Sequence, residues 1–172
     1  MIVYNQAFDY YHAIYRLIRL LSSYSREEFV ELDRLRIWDF YFLFPEQVHQ
    51  IATKKDEEGV RDIRKRFIKP KNNPYKQVYD NKKLFEKIKP YQLSAIHCLA
   101  SYGIIDKDLL ALNRISIVSK ERLREYNDKL EELSYTEQNV IMLMISYYSS
   151  VSLFGPDGLK ARTKLMISRY DS

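Results

Sequence analysis

The chain has 172 residues, 46% of them hydrophobic and 30% charged, and a formal net charge of +5. This is enough apolar material for a real core, and only four glycines and five prolines exclude a disordered chain or a turn-rich all-β fold. The single cysteine excludes an internal disulfide framework and suits a reducing compartment. No apolar run reaches the roughly 20 residues of a membrane span and no targeting segment is visible, so we expect a cytoplasmic protein.

Apolar residues recur at helical spacing through most of the chain, which predicts a mainly α protein. The first helix follows a short polar segment. Ser25 and Glu28 have the spacing of a capping box, which predicts that the second helix begins there and runs to about Phe44. Its part at 32–44 is apolar almost all round, as is typical of a helix surrounded by protein. We therefore expect Trp38 to be largely buried.

The middle of the chain is basic. Residues 54–89 hold 13 Lys or Arg against six Asp or Glu, whereas the rest of the chain is slightly acidic. The sequence KPKNNP at 69–74 is the clearest helix breaker, and we place a subdomain boundary near Asn72–Asn73. This predicts an N-terminal helical part, 1–72, and a second part, 73–172, which together form one compact unit.

The second part has the organisation of a winged helix-turn-helix followed by C-terminal helices. Gly103 is expected to end a helix in the left-handed conformation. The segments Leu109–Leu112 and Ile115–Val118 are expected to pair as a small β-hairpin wing that turns at Asn113, because asparagine tolerates that conformation. Two serines are expected to cap later helices, Ser119 and Ser134.

No recognised catalytic signature is present. The sequence lacks HExxH, CxxC, GxSxG, GxGxxG and a Walker loop, and Cys98 lies in an apolar run that is typical of a buried core thiol. Asp9, His12 and Arg16 fall on one stripe of the first helix. They form an acid–base pair, half of a metal site, or a polar network that anchors the helix. One Asp and one His do not make a metal site. We predict no enzymatic activity, no catalytic residue, no metal and no cofactor; a small nuclease or hydrolase using Asp9, His12 and Asp39 is the enzymatic alternative.

The winged-helix prediction raises nucleic-acid binding as a hypothesis. The expected recognition helix, 91–102, holds no Lys or Arg, which a groove reader needs for phosphates and guanine edges. A winged helix of this kind would bind protein instead. Four basic residues outside it could touch a nucleic-acid backbone nonspecifically: Arg61, Arg64, Lys65 and Arg66. A winged-helix DNA-binding regulator is therefore the alternative function.

Three motifs resemble a known family. They are Tyr4-Asn5-x-Ala7-Phe8-Asp9-x-Tyr11-His12, Leu35-x-Ile37-x-Asp39-Phe40-Tyr41-x-Leu43-x-Pro45 and Phe154-Gly155-Pro156-Asp157-Gly158-Leu159-Lys160-x-Arg162-Thr163. Together with Arg16, they resemble the middle component of ABC-three-component systems, which are prokaryotic conflict systems. Gln6 departs from the family pattern, in which proline is expected.

The resemblance implies a system of three parts that acts against phage and other mobile DNA. The parts are an effector, an ABC ATPase related to the chromosome-maintenance ATPases, and a middle component that is similar to winged-helix adaptors and connects the other two. The chain is thus expected to be a non-enzymatic adaptor that links that ATPase to the effector. We expect no membrane partner. Nonspecific DNA contact and a homodimer stay open.

Binding hot spots are rich in tyrosine and arginine, and the N-terminal motif combines both with polar groups. We expect the partner surface there, formed by Tyr4, Asn5, Asp9, His12 and Arg16.

Overall fold

The computed structural model describes residues 4–25, 28–68 and 80–166. Its helices are α1 (Tyr10–Ser23), α2 (Leu32–Leu43), α3 (Glu58–Phe67), α4 (Asn81–Ser101), α5 (Lys107–Ala111), α6 (Lys120–Asp128), α7 (Tyr135–Ile141) and α8 (Leu159–Thr163). The strands are β1 (Val30–Glu31) and β2 (Arg114–Ile115). Short 3-10 helices lie at Gln6–Phe8 and Pro45–Gln50, and a π-helix at Met142–Tyr148 continues α7. The prediction of a mainly α protein with one small two-stranded sheet is confirmed.

The chain forms two compact units. The first unit contains Met1–Asp39 and Lys87–Glu132, and the second contains Phe40–Glu86 and Leu133–Ser172. The predicted boundary near Asn72–Asn73 lies outside the described residues, so the predicted division there remains untested. No helix in the described ranges combines the length and hydropathy that a membrane crossing requires.

Helix α2 is enclosed by protein on nearly all sides, as its apolar sequence predicts. In the first unit, the Trp38 side chain is completely buried, and its ring centre lies 5.5 Å from that of Tyr24. In the second unit, Phe40 is also completely buried, with its ring centre 5.9 Å from that of Phe85. The prediction that Trp38 is a core residue is confirmed.

The predicted start of the second helix is wrong. Ser25 and Glu28 lie outside any helix, and α2 begins at Leu32. The residues just before it are extended because Val30 pairs antiparallel with Ile115 in the two-stranded sheet. Pairing with a distant strand therefore outweighs the local capping signal.

The winged-helix arrangement is not confirmed. The predicted first strand of the wing is helical, because Asp106 caps α5: its Oδ1 accepts from the amides of Asp108 and Leu109, both at 2.9 Å. The strand β2 pairs with β1 instead of with this segment. Asn113 does adopt the predicted left-handed conformation, with φ of 59°.

The predicted helix ends at Gly103, Ser119 and Ser134 are confirmed. Gly103 has φ of +71°, and the Ile104 amide donates to the Leu99 carbonyl at 3.0 Å, which closes a Schellman motif. Ser119 caps α6, and Ser134 forms a capping box with Glu137 at the start of α7. These signals depend only on neighbouring residues, which explains why sequence alone identifies them.

Candidate functional site

The N-terminal motif caps two helices in succession: Asn5 caps the 3-10 helix Gln6–Phe8, and Asp9 caps α1. The Asn5 side chain accepts a hydrogen bond from the Ala7 amide at 3.0 Å, and Asp9 Oδ1 accepts one from the His12 amide at 2.9 Å. Both are N-cap contacts, which satisfy amides that the helix itself leaves unpaired. The hydrogen bond from the His12 amide, followed by one from the Tyr4 hydroxyl, holds the pKa of Asp9 below its usual value. Asp9 is therefore a negatively charged cap with two fixed partners.

A buried ion pair lies in the same unit and joins α1 to α2. Arg16 Nε donates to Asp39 Oδ1 at 2.6 Å, and Arg16 Nη2 donates to Asp39 Oδ2 at 3.1 Å. Both side chains are 0% exposed. Two parallel charge-assisted hydrogen bonds are the strongest arrangement for this pair. Because both charges have lost their water, neither partner can be removed without leaving an uncompensated charge.

Gln92 extends the pair to α4. Its Nε2 donates to Asp39 Oδ2 at 2.8 Å and to the Arg36 carbonyl at 3.1 Å, while its Oε1 accepts from Arg36 Nε at 3.0 Å. Gln92 is fully buried, so it needs these partners. We call Arg16, Arg36, Asp39 and Gln92 the buried polar network; it joins three helices of the first unit.

Arg16 also connects this network to the N-terminal motif. Its Nη1 lies 2.7 Å from His12 Nδ1 and donates to the Gln6 carbonyl at 3.3 Å. An arginine can only donate, so Nδ1 is the acceptor, and a neutral imidazole then carries its proton on Nε2. The orientation of His12 therefore depends on a buried guanidinium.

The five predicted partner-binding residues lie at different depths. Tyr4 and Asn5 are exposed, Asp9 and His12 are half-buried, and Arg16 is completely buried. Arg16 supports the motif from the interior, as the anchoring interpretation of this stripe expects. Partner binding by the group stays a prediction.

The residues of the enzymatic alternative are already engaged in structural contacts. Asp9 caps α1, His12 contacts Arg16, and Asp39 accepts hydrogen bonds from Arg16 and Gln92. Within 4–25, 28–68 and 80–166, no group of three or more His, Cys, Asp or Glu side chains could hold a metal ion.

Sequence reasoning placed Asp9, His12 and Arg16 on one stripe but did not connect them to Gln92. Gln92 lies in a helix that gives no local sign of a polar partner, and 53 residues separate it from Asp39.

The C-terminal motif builds a second ion-pair cluster, in the second unit. Arg162 Nη1 donates to Glu57 at 2.8 Å and 3.1 Å, and Arg162 Nε donates to the Asp157 carbonyl at 2.7 Å. Burial raises the pKa of Glu57, but hydrogen bonds from Arg162 and Tyr147 outweigh it, so this pKa lies below its usual value. Asp157 in turn pairs with Lys54 Nζ at 2.8 Å.

Gly158 of the same motif is required for close packing. A Cβ at this position would lie 2.2 Å from the Phe154 carbonyl oxygen, which is closer than atoms can approach. The motif residues thus hold together each unit in which they lie.

The basic residues predicted to touch nucleic acid are partly engaged within the protein. Arg64 Nη1 donates to two carbonyls at the end of the 3-10 helix Pro45–Gln50, both at 2.8 Å. Arg61 Nη2 donates to the Lys54 carbonyl at 2.7 Å. Lys65 and Arg66 are exposed. Nucleic-acid contact is untested, and Lys65 and Arg66 are now its first candidates.

A family model confirms the resemblance seen in the motifs. The model of the ABC-three component (ABC-3C) system Middle Component 5, MC5, matches residues 2–171. No curated protein and no solved structure matches the chain. The family assignment therefore extends over all three motifs and over both units.

Proposed function

The chain belongs to the Middle Component 5 family of ABC-three-component systems, and on that premise we propose that it is a non-enzymatic adaptor. It links the ABC-type ATPase of its system, related to the chromosome-maintenance ATPases, to the effector, in defence against phage and other mobile DNA. The family match over residues 2–171 is the observation that carries this proposal.

The N-terminal surface, defined as Tyr4, Asn5, Asp9 and His12, supplies the first contact with a partner. Tyr4 is 65% exposed, and its hydrogen bond to Asp9 raises the pKa of its hydroxyl. The ring is therefore held in place before a partner arrives, which reduces the entropy lost on binding. Exposed tyrosine is among the residue types that dominate binding hot spots.

The buried polar network connects this surface to helices in the interior of the first unit. Arg16 contacts both His12 and Asp39, and Asp39 contacts Gln92. A partner that displaces His12 therefore acts on α1, α2 and α4 together. We propose that ATP-driven movement of the ATPase reaches the effector through such a bound helical surface.

Copurification with the ATPase and effector encoded beside the chain tests the proposal. Tyr4→Ala and His12→Ala are expected to weaken assembly at least about tenfold, because hot-spot truncations typically cost 2 kcal/mol or more. Tyr4→Phe keeps the ring but removes the hydroxyl that bonds Asp9, so it should weaken assembly less than Tyr4→Ala. Thermal melts of every variant report on folding. An unchanged melt with lost assembly supports an interface, whereas a lowered melt with retained assembly supports anchoring alone. If the wild-type chain copurifies with neither neighbour, the adaptor proposal is wrong.

A further inference from the structure

A cleft of about 350 Å³ opens on the first unit, lined by residues of α1, α4 and α6 and by the turn after α4. Its buried lining is aliphatic and includes Ile18, Leu99 and Ile104. Its exposed lining is aromatic: Tyr11, Tyr102 and Tyr126. No charged side chain lines it.

The three aromatic residues are exposed despite their size. Tyr11 is 79% exposed, Tyr102 59% and Tyr126 40%. Each is a large, rigid apolar surface with a polar hydroxyl, which suits a surface that is alternately wet and covered. Their convergence on one cleft distinguishes them from apolar residues scattered singly on a surface, which need no explanation.

Two cationic side chains lie beside this cleft, and each contacts a residue that lines it. Arg122 Nη1 donates to the Tyr102 carbonyl at 2.8 Å, and Lys129 Nζ lies 5.9 Å from the centre of the Tyr126 ring. Arg122, Tyr126 and Lys129 lie at i, i+4 and i+7 of one helical stripe. Gly103 leaves space for the guanidinium, since a Cβ there would lie 3.0 Å from Arg122 Nη1.

We propose that this cleft binds an apolar segment of a protein partner from the same system, with carboxylates flanking its apolar residues. The uncharged lining buries the apolar anchor, while Arg122 and Lys129 pair with the flanking carboxylates. The inference rests on the proposed adaptor function and gives the chain a second contact surface, because no residue of the N-terminal surface lines the cleft.

The shape of the lining favours a peptide over single-stranded nucleic acid. Surfaces that bind single strands combine flat stacking faces with a basic groove that follows the backbone. Here the buried lining consists of branched aliphatic side chains, which fit aliphatic or aromatic anchors.

The first test uses assembly of the full-length chain with its neighbouring ATPase and effector. The double variant Tyr11→Ala, Tyr102→Ala and the single variant Lys129→Glu should each raise the dissociation constant at least tenfold. Tyr135→Ala is the matched control, because Tyr135 is 62% exposed but does not line the cleft; it should change the constant less than twofold. Thermal melts establish that each variant folds. Lys129 is the exposed C-cap of α6, so Lys129→Glu removes no buried side chain.

The second test needs no substitution. Cys98 is the only cysteine and lines the cleft. It is half-buried, so the prediction of a fully buried core thiol is wrong. Its hydrogen bond with Tyr10 raises the pKa of the Tyr10 hydroxyl to about 12. Alkylation of Cys98 by N-ethylmaleimide, followed by intact mass spectrometry, should be at least tenfold slower in the assembled complex than in the free chain.

The outcomes separate this inference from the adaptor proposal. Assembly that survives the cleft variants, with Cys98 equally reactive in the complex, overturns the cleft as a docking surface and leaves the adaptor in place. Failure of the wild-type chain to assemble overturns both. Binding of a single-stranded oligonucleotide that the Tyr11→Ala, Tyr102→Ala variant abolishes would replace the protein occupant with nucleic acid and overturn the inference.

Discussion

Removal of the Asp39 carboxylate should destabilise the first unit strongly. Asp39→Ala leaves the Arg16 guanidinium, which is completely buried, without its hydrogen bonds of 2.6 Å and 3.1 Å, and Gln92 loses one acceptor. Breaking a buried pair typically costs about 3–5 kcal/mol, because the surviving charge is uncompensated. That is a large fraction of the roughly 5–15 kcal/mol by which native proteins are stable.

Urea denaturation followed by tryptophan fluorescence measures this loss. Trp38 is the only tryptophan and is buried in the same unit, so its emission reports on the region that the substitution affects. Glu31→Ala is the matched control, because it also removes a carboxylate from an arginine. Glu31 pairs with Arg34 at 2.7 Å, but its side chain is 39% exposed. Arg34 itself is buried, but water partly screens the exposed Glu31 carboxylate, so this substitution should cost less free energy of unfolding than Asp39→Ala.

A double substitution separates charge from packing. Arg16→Met with Asp39→Leu removes both charges at similar volume, and it should recover part of the stability that Asp39→Ala loses, because no charge remains uncompensated. The reasoning is refuted if Asp39→Ala costs no more than Glu31→Ala, or if the double variant is less stable than Asp39→Ala alone.

Three further predictions concern the core, the second unit and DNA. Trp38→Ala should lower the free energy of unfolding by about 3–5 kcal/mol, because the ring is completely buried. Denaturant unfolding followed by circular dichroism measures this change, and a loss below about 1 kcal/mol would contradict the central place of α2 in the core. The lowered pKa of Glu57 means that its ionised form stabilises the fold above its unfolded pKa of about 4.3, and that this contribution is lost as pH falls through the lower folded pKa. Glu57→Gln should therefore show a smaller acid-dependent fall in melting temperature than the wild type between about pH 6 and about pH 3, and an equal fall would count against the pair with Arg162. Charge reversal at Lys65 and Arg66 should leave the melt unchanged and weaken any DNA binding equally for all sequences, as measured by gel shifts at several salt concentrations; sequence-specific binding that survives would instead support the regulator alternative.

The features that sequence identified correctly are local ones. Gly103 and Asn113 adopt left-handed conformations because of their own side chains or lack of one, and the capping box at Ser134 spans only four residues. The apolar sequence of α2 likewise indicates its own burial. For the two left-handed residues and the capping box, the deciding interaction lies within one or two helical turns.

The features that sequence missed depend on distant partners. Ser25 and Glu28 have the spacing of a capping box, yet the chain after them is a strand because Val30 pairs with Ile115. In the same way, Arg16 and Asp39 are 23 residues apart, and no periodic pattern connects them before the chain folds. The motifs that identify the family are thus visible in sequence, whereas their roles in joining helices are visible only in the structure.

A bridging pull-down tests the adaptor most directly. The tagged effector is immobilised, and the ATPase of the same system is added with and without this chain. We predict that the effector retains the ATPase only when the chain is present, and that Tyr4→Ala reduces this retention more than Tyr4→Phe does. Equal retention of the ATPase in the absence of the chain would contradict the adaptor function.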